Sequence, residues 1–211
     1  LRCHRRYPLY SWKWQETSFP REGPFYSDDL KTILLEELDS AQQKLLGDEL
    51  DTVVNFWTDT GIPRDENWCR DRLAEMIRSP LEHYGITLTT EADMPDQKRV
   101  DLACAKDQMH LPVEVKGQWN KTVWDAATGQ LDELYLRDWR SGQRDIYCVF
   151  WFGKQTAKSG RQIRPHPDGH ADPQTADAMR AMLIERIPEP RRAFIEVRVI
   201  DLTKKPLKDR R

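Results

Sequence analysis

Seven consecutive apolar residues, Ile146 through Phe152, constrain this chain more than any other stretch. A strand that alternates apolar and polar residues can leave one face in water. This one cannot, and it reads as a strand over about 144–152 that is buried on both faces. Layers must therefore cover the sheet on each side.

The surrounding periodicities supply them. Leu30, Ile33, Leu34, Leu38, Ala41 and Leu45 recur at helical spacing behind Ser27, Asp28 and Asp29, a cap with acids at the positive end of the helix dipole. A second helical stretch is expected over about 48–59, closed by Gly61 and Pro63. A helix over about 65–79, stopping near Pro80, leads into three strand-like runs at 86–92, 99–105 and 111–116. A helix over about 121–139, the strand at 144–152, a polar loop, a helix over about 174–187 and a strand over about 193–201 complete the chain. The expected fold class is α/β, a mixed sheet flanked by helices with a helical N-terminal extension. The expected units are 1–59 (an irregular aromatic segment plus the extension), 60–203 (the α/β domain) and 204–211 (a basic tail).

Bulk properties narrow the function. Hydrophobic residues make up 38% and charged residues 32%, with a net charge of −2, so no global basic field marks a nucleic-acid coat protein. A local cleft can still meet nucleic acid. The four cysteines form no CxxC pair; Cys69, Cys104 and Cys148 lie in apolar segments and read as buried free thiols in a reducing cytoplasm. Neither a signal peptide nor an apolar run of membrane-spanning length is visible. The chain starts without Met, which suggests a module of a larger protein. No Walker loop or local Ser-His-Asp pattern occurs.

Three charged residues interrupt apolar strands: Asp101 between Val100 and Leu102, and Glu114 and Lys116 interleaved with Val113 and Val115. Burying charge is costly unless it is paired. Glu114 and Lys116, two apart, share a strand face. A hairpin centred near Gln108 would set Asp101 opposite about Val115, between Glu114 and Lys116. Two hard carboxylates can hold Mg²⁺, or Mn²⁺ in its place, and an ammonium beside them can orient a water or stabilise charge on phosphorus. The competing reading is an edge strand whose Asp, Glu and Lys simply pair in solvent.

Asp101 followed by Glu114-Val115-Lys116 resembles the signature of the PD-(D/E)xK nuclease superfamily, the restriction-endonuclease-like fold. The family's α-β-β-β-α-β core resembles the order read over about 65–152, although Val100 stands where the family's proline would be. The resemblance implies metal ligation by Asp101, Glu114 and the backbone carbonyl of Val115, with Lys116 positioning the nucleophile. It also implies a glutamate on the first core helix that points at the metal site and assists as a further ligand, and Glu66 is the candidate. Glu66 shares a helix face with Cys69, Leu73 and Ile77, within about 60°, whereas Glu75 points to water. Gln130, in the apolar stripe of the 121–139 helix, matches a glutamine found in several branches, which the resemblance implies as a further catalytic residue. Tyr135 falls one residue beyond the Q-x-x-x-Y spacing of one such branch. Trp119, Lys121, Arg161 and Arg164 are candidates for nucleic-acid contact; Trp119 and Trp124 also suit ordinary packing. The implied activity is Mg²⁺-dependent endonucleolytic hydrolysis of nucleic acid, DNA rather than RNA. The layout is similar to C-terminal effector modules of larger bacterial antiphage proteins. A nuclease fold kept only for DNA binding or assembly and an RNA-cleaving toxin stand as alternatives, and two copies would suit double-strand cutting. His166 and His170 read as a surface loop rather than a zinc site, since no third ligand is obvious.

Overall fold

The computed structural model describes residues 24, 26–47, 51–94, 98–129, 142, 144–154 and 160–204. Expectations for the aromatic N-terminal segment, for Gln130, Tyr135 and the rest of the helix to 139, and for the basic tail beyond 204 fall outside these residues.

Five strands form one sheet in the order β1-β2-β3-β4-β5. They are β1 (Thr87–Met94), β2 (Lys98–Lys106), β3 (Met109–Gly117), β4 (Asp145–Trp151) and β5 (Ile195–Asp201). β1, β2 and β3 pair antiparallel, whereas β4 runs parallel to both β3 and β5. The sheet is therefore mixed, and helices flank it: α1 (Ser27–Gly47), α2 (Glu66–His83) and α3 (Ala176–Arg186).

β4 has the two-sided burial that its composition demands. Ile146, Cys148 and Phe150 join the core with the apolar faces of α1 and α2. Tyr147, Val149 and Trp151 pack into a second core with Val123, Trp124, Met179 and Leu183. Successive side chains alternate between the two faces, as a pleated strand requires. α1 further closes the end of β5, because Gln42 accepts from the Asp201 amide at 2.6 Å and donates to its carbonyl at 3.1 Å.

Three local expectations are corrected. The stretch expected as a helix over 48–59 is, where described, a 3₁₀ turn over Thr52–Phe56, after which Trp57 turns extended and bridges Pro63. α2 does not stop at Pro80 but runs on to His83. Leu81, fully buried among the core residues, holds that last turn down, and this burial outweighs the hydrogen bond the proline cannot donate. Residues 121–129, expected as helix, form a run of overlapping turns.

No helix among the described residues is long and apolar enough to cross a membrane. Cys69, Cys104 and Cys148 are free and buried. Burial pushes all three thiols up, Cys104 and Cys148 to about 12.

Candidate active site

The β2–β3 hairpin turns on Asp107 and Gln108, with Lys106 opposite Met109. Asp107 adopts φ 54°, a left-handed conformation that aspartate tolerates better than most residues. The two-residue turn sets Leu102 opposite Val113, one position from the expected register. Asp101 itself pairs with neither neighbouring strand, and across from it on β1 Glu91 adopts φ 52°. The Asp101 carboxylate fills the gap in the ladder. Its Oδ2 accepts from the Val115 amide at 2.8 Å, so Asp101 still reaches Val115, by side chain rather than by strand register.

Glu114 and Lys116 project from the face of β3 opposite Val113 and Val115 and are 4% and 7% exposed. The Lys116 ammonium meets three oxygens. It donates to Glu114 Oε1, to Asp101 Oδ2 at 3.4 Å and to the Val115 carbonyl at 3.1 Å. These are three of the four groups named as metal ligands from the sequence; Glu66 is the fourth. A positive charge already sits where they converge, and an all-oxygen set of two carboxylates and a carbonyl suits Mg²⁺ or Mn²⁺. The donor set fits such an ion.

Two acids share one ammonium. Burial disfavours the charge on Lys116, but Glu114 and Asp101 outweigh it and hold its pKa above the ordinary lysine value. Burial and then repulsion from Asp101 push Glu114 up to about 7 against the pull of Lys116. The folded chain therefore binds a proton at Glu114 between pH 4.5, the ordinary glutamate value, and about 7, where the unfolded chain does not. Stability from this group falls as pH rises across that window and levels off above it. In metal-free buffer, the melting temperature of the Glu114→Gln variant is expected to lack this part of the slope. An identical slope in wild type and variant would refute the assignment.

Glu66 lies at the first turn of α2, fixed there because the Asp65 side chain caps the helix by accepting from the Trp68 amide at 2.9 Å. It is half-buried and turned inward, whereas Glu75 is exposed and pairs with Arg72. Its Oε2 accepts from Gly117 N at 2.6 Å and from Asn120 Nδ2 at 2.9 Å. Among the described residues, Glu66 does not join Asp101 and Glu114 in a cluster with all ligand atoms within 4.8 Å. Its contacts make it a positioning residue, tying α2 to the end of β3 just beyond Lys116.

Of the proposed nucleic-acid contacts, Trp119 and Arg161 come together, the guanidinium 4.6 Å from the indole centroid. Lys121 and Arg164 are exposed, and Arg164 is anchored by its backbone, which donates to the Gln118 carbonyl and accepts from the Trp124 indole. Trp124 is buried and packs in the second core. Gly117 permits the Trp119 arrangement, because a Cβ there would lie 2.6 Å from that indole.

Several neighbours were not foreseen. Fully buried Gln118 donates to the carbonyls of Gly153 and Arg161 and accepts from the Phe152 amide, joining β3, β4 and the following loop. Asn120 reads in sequence only as a turn residue, and its bond to Glu66 spans 54 positions. A cleft of about 370 Å³ between Trp57, Arg64, Trp68, Arg72 and Lys204 adds a basic, aromatic surface. Arg64 lies 4.3 Å over Trp68, and Lys204 4.8 Å over Trp57. Phe152 touches both Trp57 and Trp119, at ring distances of 5.1 and 5.6 Å, so the cleft adjoins the Trp119–Arg161 pair.

Comparison with curated proteins and with solved structures found no match. A family model described as a domain of unknown function (DUF8371) matches residues 43–154, from the end of α1 through β4, and includes Glu66, Asp101, Glu114 and Lys116. That match covers just over half of the 211 residues, and the chain belongs to the DUF8371 family.

Proposed function

We propose that this chain is a metal-dependent phosphodiesterase of the PD-(D/E)xK type that cleaves nucleic acid, DNA in preference to RNA. The observation that carries the reading is the single ammonium of Lys116 in contact with Asp101, Glu114 and the Val115 carbonyl. A solvated edge-strand ion pair, the competing reading, would leave these groups exposed, whereas Glu114 and Lys116 are buried.

Asp101, Glu114 and the Val115 carbonyl are the groups that would hold Mg²⁺ or Mn²⁺. Bound there, the ion supplies Lewis-acid polarisation of the phosphate and a water of lowered pKa. Lys116, held charged by its two acids, presents an ammonium to negative charge developing on the phosphoryl oxygens. Glu66 and Asn120 fix the end of β3 that carries Lys116. The Trp119–Arg161 pair and the adjoining cleft around Trp68 supply stacking faces and guanidinium groups for a nucleic-acid strand. Buried free thiols at Cys69, Cys104 and Cys148 suit the cytoplasm, and the resemblance to antiphage effector modules extends the proposal to a role in bacterial defence.

The test is cleavage of plasmid DNA and of matched single-stranded DNA and RNA, with Mg²⁺, with Mn²⁺ and with chelator. Metal-dependent cleavage that Asp101→Ala abolishes is expected. No cleavage of any substrate with either metal, or undiminished cleavage by the variant, would overturn the proposal. RNA cleavage alone would select the RNA-cutting alternative.

A further inference from the structure

The segment between β4 and α3 carries a second set of chemistry-bearing side chains that the nuclease reading does not use. His166, Asp168 and His170 bring one ligand-capable atom each to within 4.8 Å of one another. Asp168 supplies the third ligand that the spacing of the two histidines does not make obvious. Its position follows from the turn: Gly169 adopts φ 76° and donates its amide to the His166 carbonyl at 3.1 Å, which folds His170 back against His166.

The arrangement is held from outside. His166 is 7% exposed, with its ring 4.6 Å from Trp124 and 4.7 Å from His170. Its Nδ1 accepts from the Asp168 amide at 3.2 Å, which marks that nitrogen as carrying a lone pair. Asp168 Oδ2 accepts from Arg186 Nη1 at 2.6 Å. Arg186 is itself fixed by the Trp124 carbonyl at 3.0 Å and Asp125 Oδ1 at 2.7 Å. Two carboxylates thus balance its charge, and it orients Asp168 as an outer-shell donor orients a metal-binding carboxylate. The three side chains line a cavity of about 600 Å³ that Met182, Glu185 and Arg186 complete.

We propose that His166, Asp168 and His170 form a binding site for a Zn²⁺-class cation, separate from the Asp101–Glu114–Lys116 cluster. Two imidazoles and one carboxylate match the donors that zinc takes, with the fourth tetrahedral position open to the cavity. The same set is a poor match for Mg²⁺, which favours oxygen throughout. Occupancy would tie the loop bearing Arg161 and Arg164 to α3 and to the Trp124 segment.

Equilibrium dialysis of the full chain against Zn²⁺, with Co²⁺ as a spectroscopic probe, tests the site. With excess Mg²⁺ present to occupy the Asp101–Glu114 cluster, one Zn²⁺ per chain that depends on His170 is expected, with the visible bands of tetrahedral Co²⁺ when Co²⁺ replaces it. His170 is exposed and not required for packing, so His170→Ala keeps the fold. It should weaken binding by more than about 10-fold, since even outer-shell partners cost that much. Glu114→Gln should leave the Zn²⁺ affinity unchanged. No Zn²⁺ bound by the wild-type chain, full affinity in His170→Ala, or loss of the His170-dependent Zn²⁺ in Glu114→Gln would each overturn the proposal.

Discussion

A Lys116→Ala chain is expected to lose cleavage by about 10²–10³-fold, the cost of removing one preorganised donor from developing charge, and to keep its hold on nucleic acid. Lys116 is the only cation in contact with both Asp101 and Glu114 among the described residues. Its removal leaves two carboxylates facing each other in a buried corner. Glu114, already pushed up to about 7, takes a proton and relieves the repulsion. The variant therefore folds, and the loss is one of chemistry. Single-turnover cleavage measured beside binding to uncleaved DNA separates the two. Wild-type cleavage by the variant would leave the cluster as a structural ion pair and remove the basis of the nuclease reading.

Phe150→Ala carries the largest expected effect on stability. Phe150 has no exposed surface, lies one residue before the end of β4 and meets Phe56 at a ring distance of 6.3 Å. β3 and β5 flank β4 and helices cover it, so the space left by the ring has little freedom to collapse. Losses of about 3–5 kcal/mol are typical for such truncations, and for a chain of this size they correspond to a melting temperature lower by roughly 6–20 °C. Thermal unfolding followed by circular dichroism measures this. A shift of only a degree or two would mean that β4 is not the buried centre of the sheet.

Legibility in the sequence followed how local the determining physics is. The uninterrupted apolar run announced β4, because no amphipathic element has that composition. The inward turn of Glu66 followed from helical periodicity alone. Pro80 misled because its local penalty is visible in sequence and the burial of Leu81 is not. The helix expected over 48–59 failed for a related reason. Val53 and Phe56 are buried, but Trp57 leaves the helical path to donate its indole N–H to the Leu202 carbonyl, 145 positions away. In the candidate site, the meeting of Asp101, Glu114 and Lys116 was legible from strand pairing. That Asp101 leaves the ladder was not, because alternation does not show where a side chain displaces a backbone partner. Asp168 went unnoticed between two histidines because the direction of its carboxylate depends on Arg186 from α3.

The turn at Asp107 and Gln108 has a consequence for how this chain tolerates changes in length. Asp101 and the Glu114–Lys116 pair are joined by one uninterrupted hairpin, and β3 is pinned on its far side by the parallel pairing with β4. A residue inserted within either arm would invert every side chain between the insertion and the strand end. It would drive Glu114 and Lys116 into the oily layer beneath α1 and α2. Insertions at the tip can bulge into water without moving either carboxylate. Nuclease chemistry on this scaffold should therefore survive an added glycine at the hairpin tip and vanish with the same glycine placed between Leu111 and Glu114.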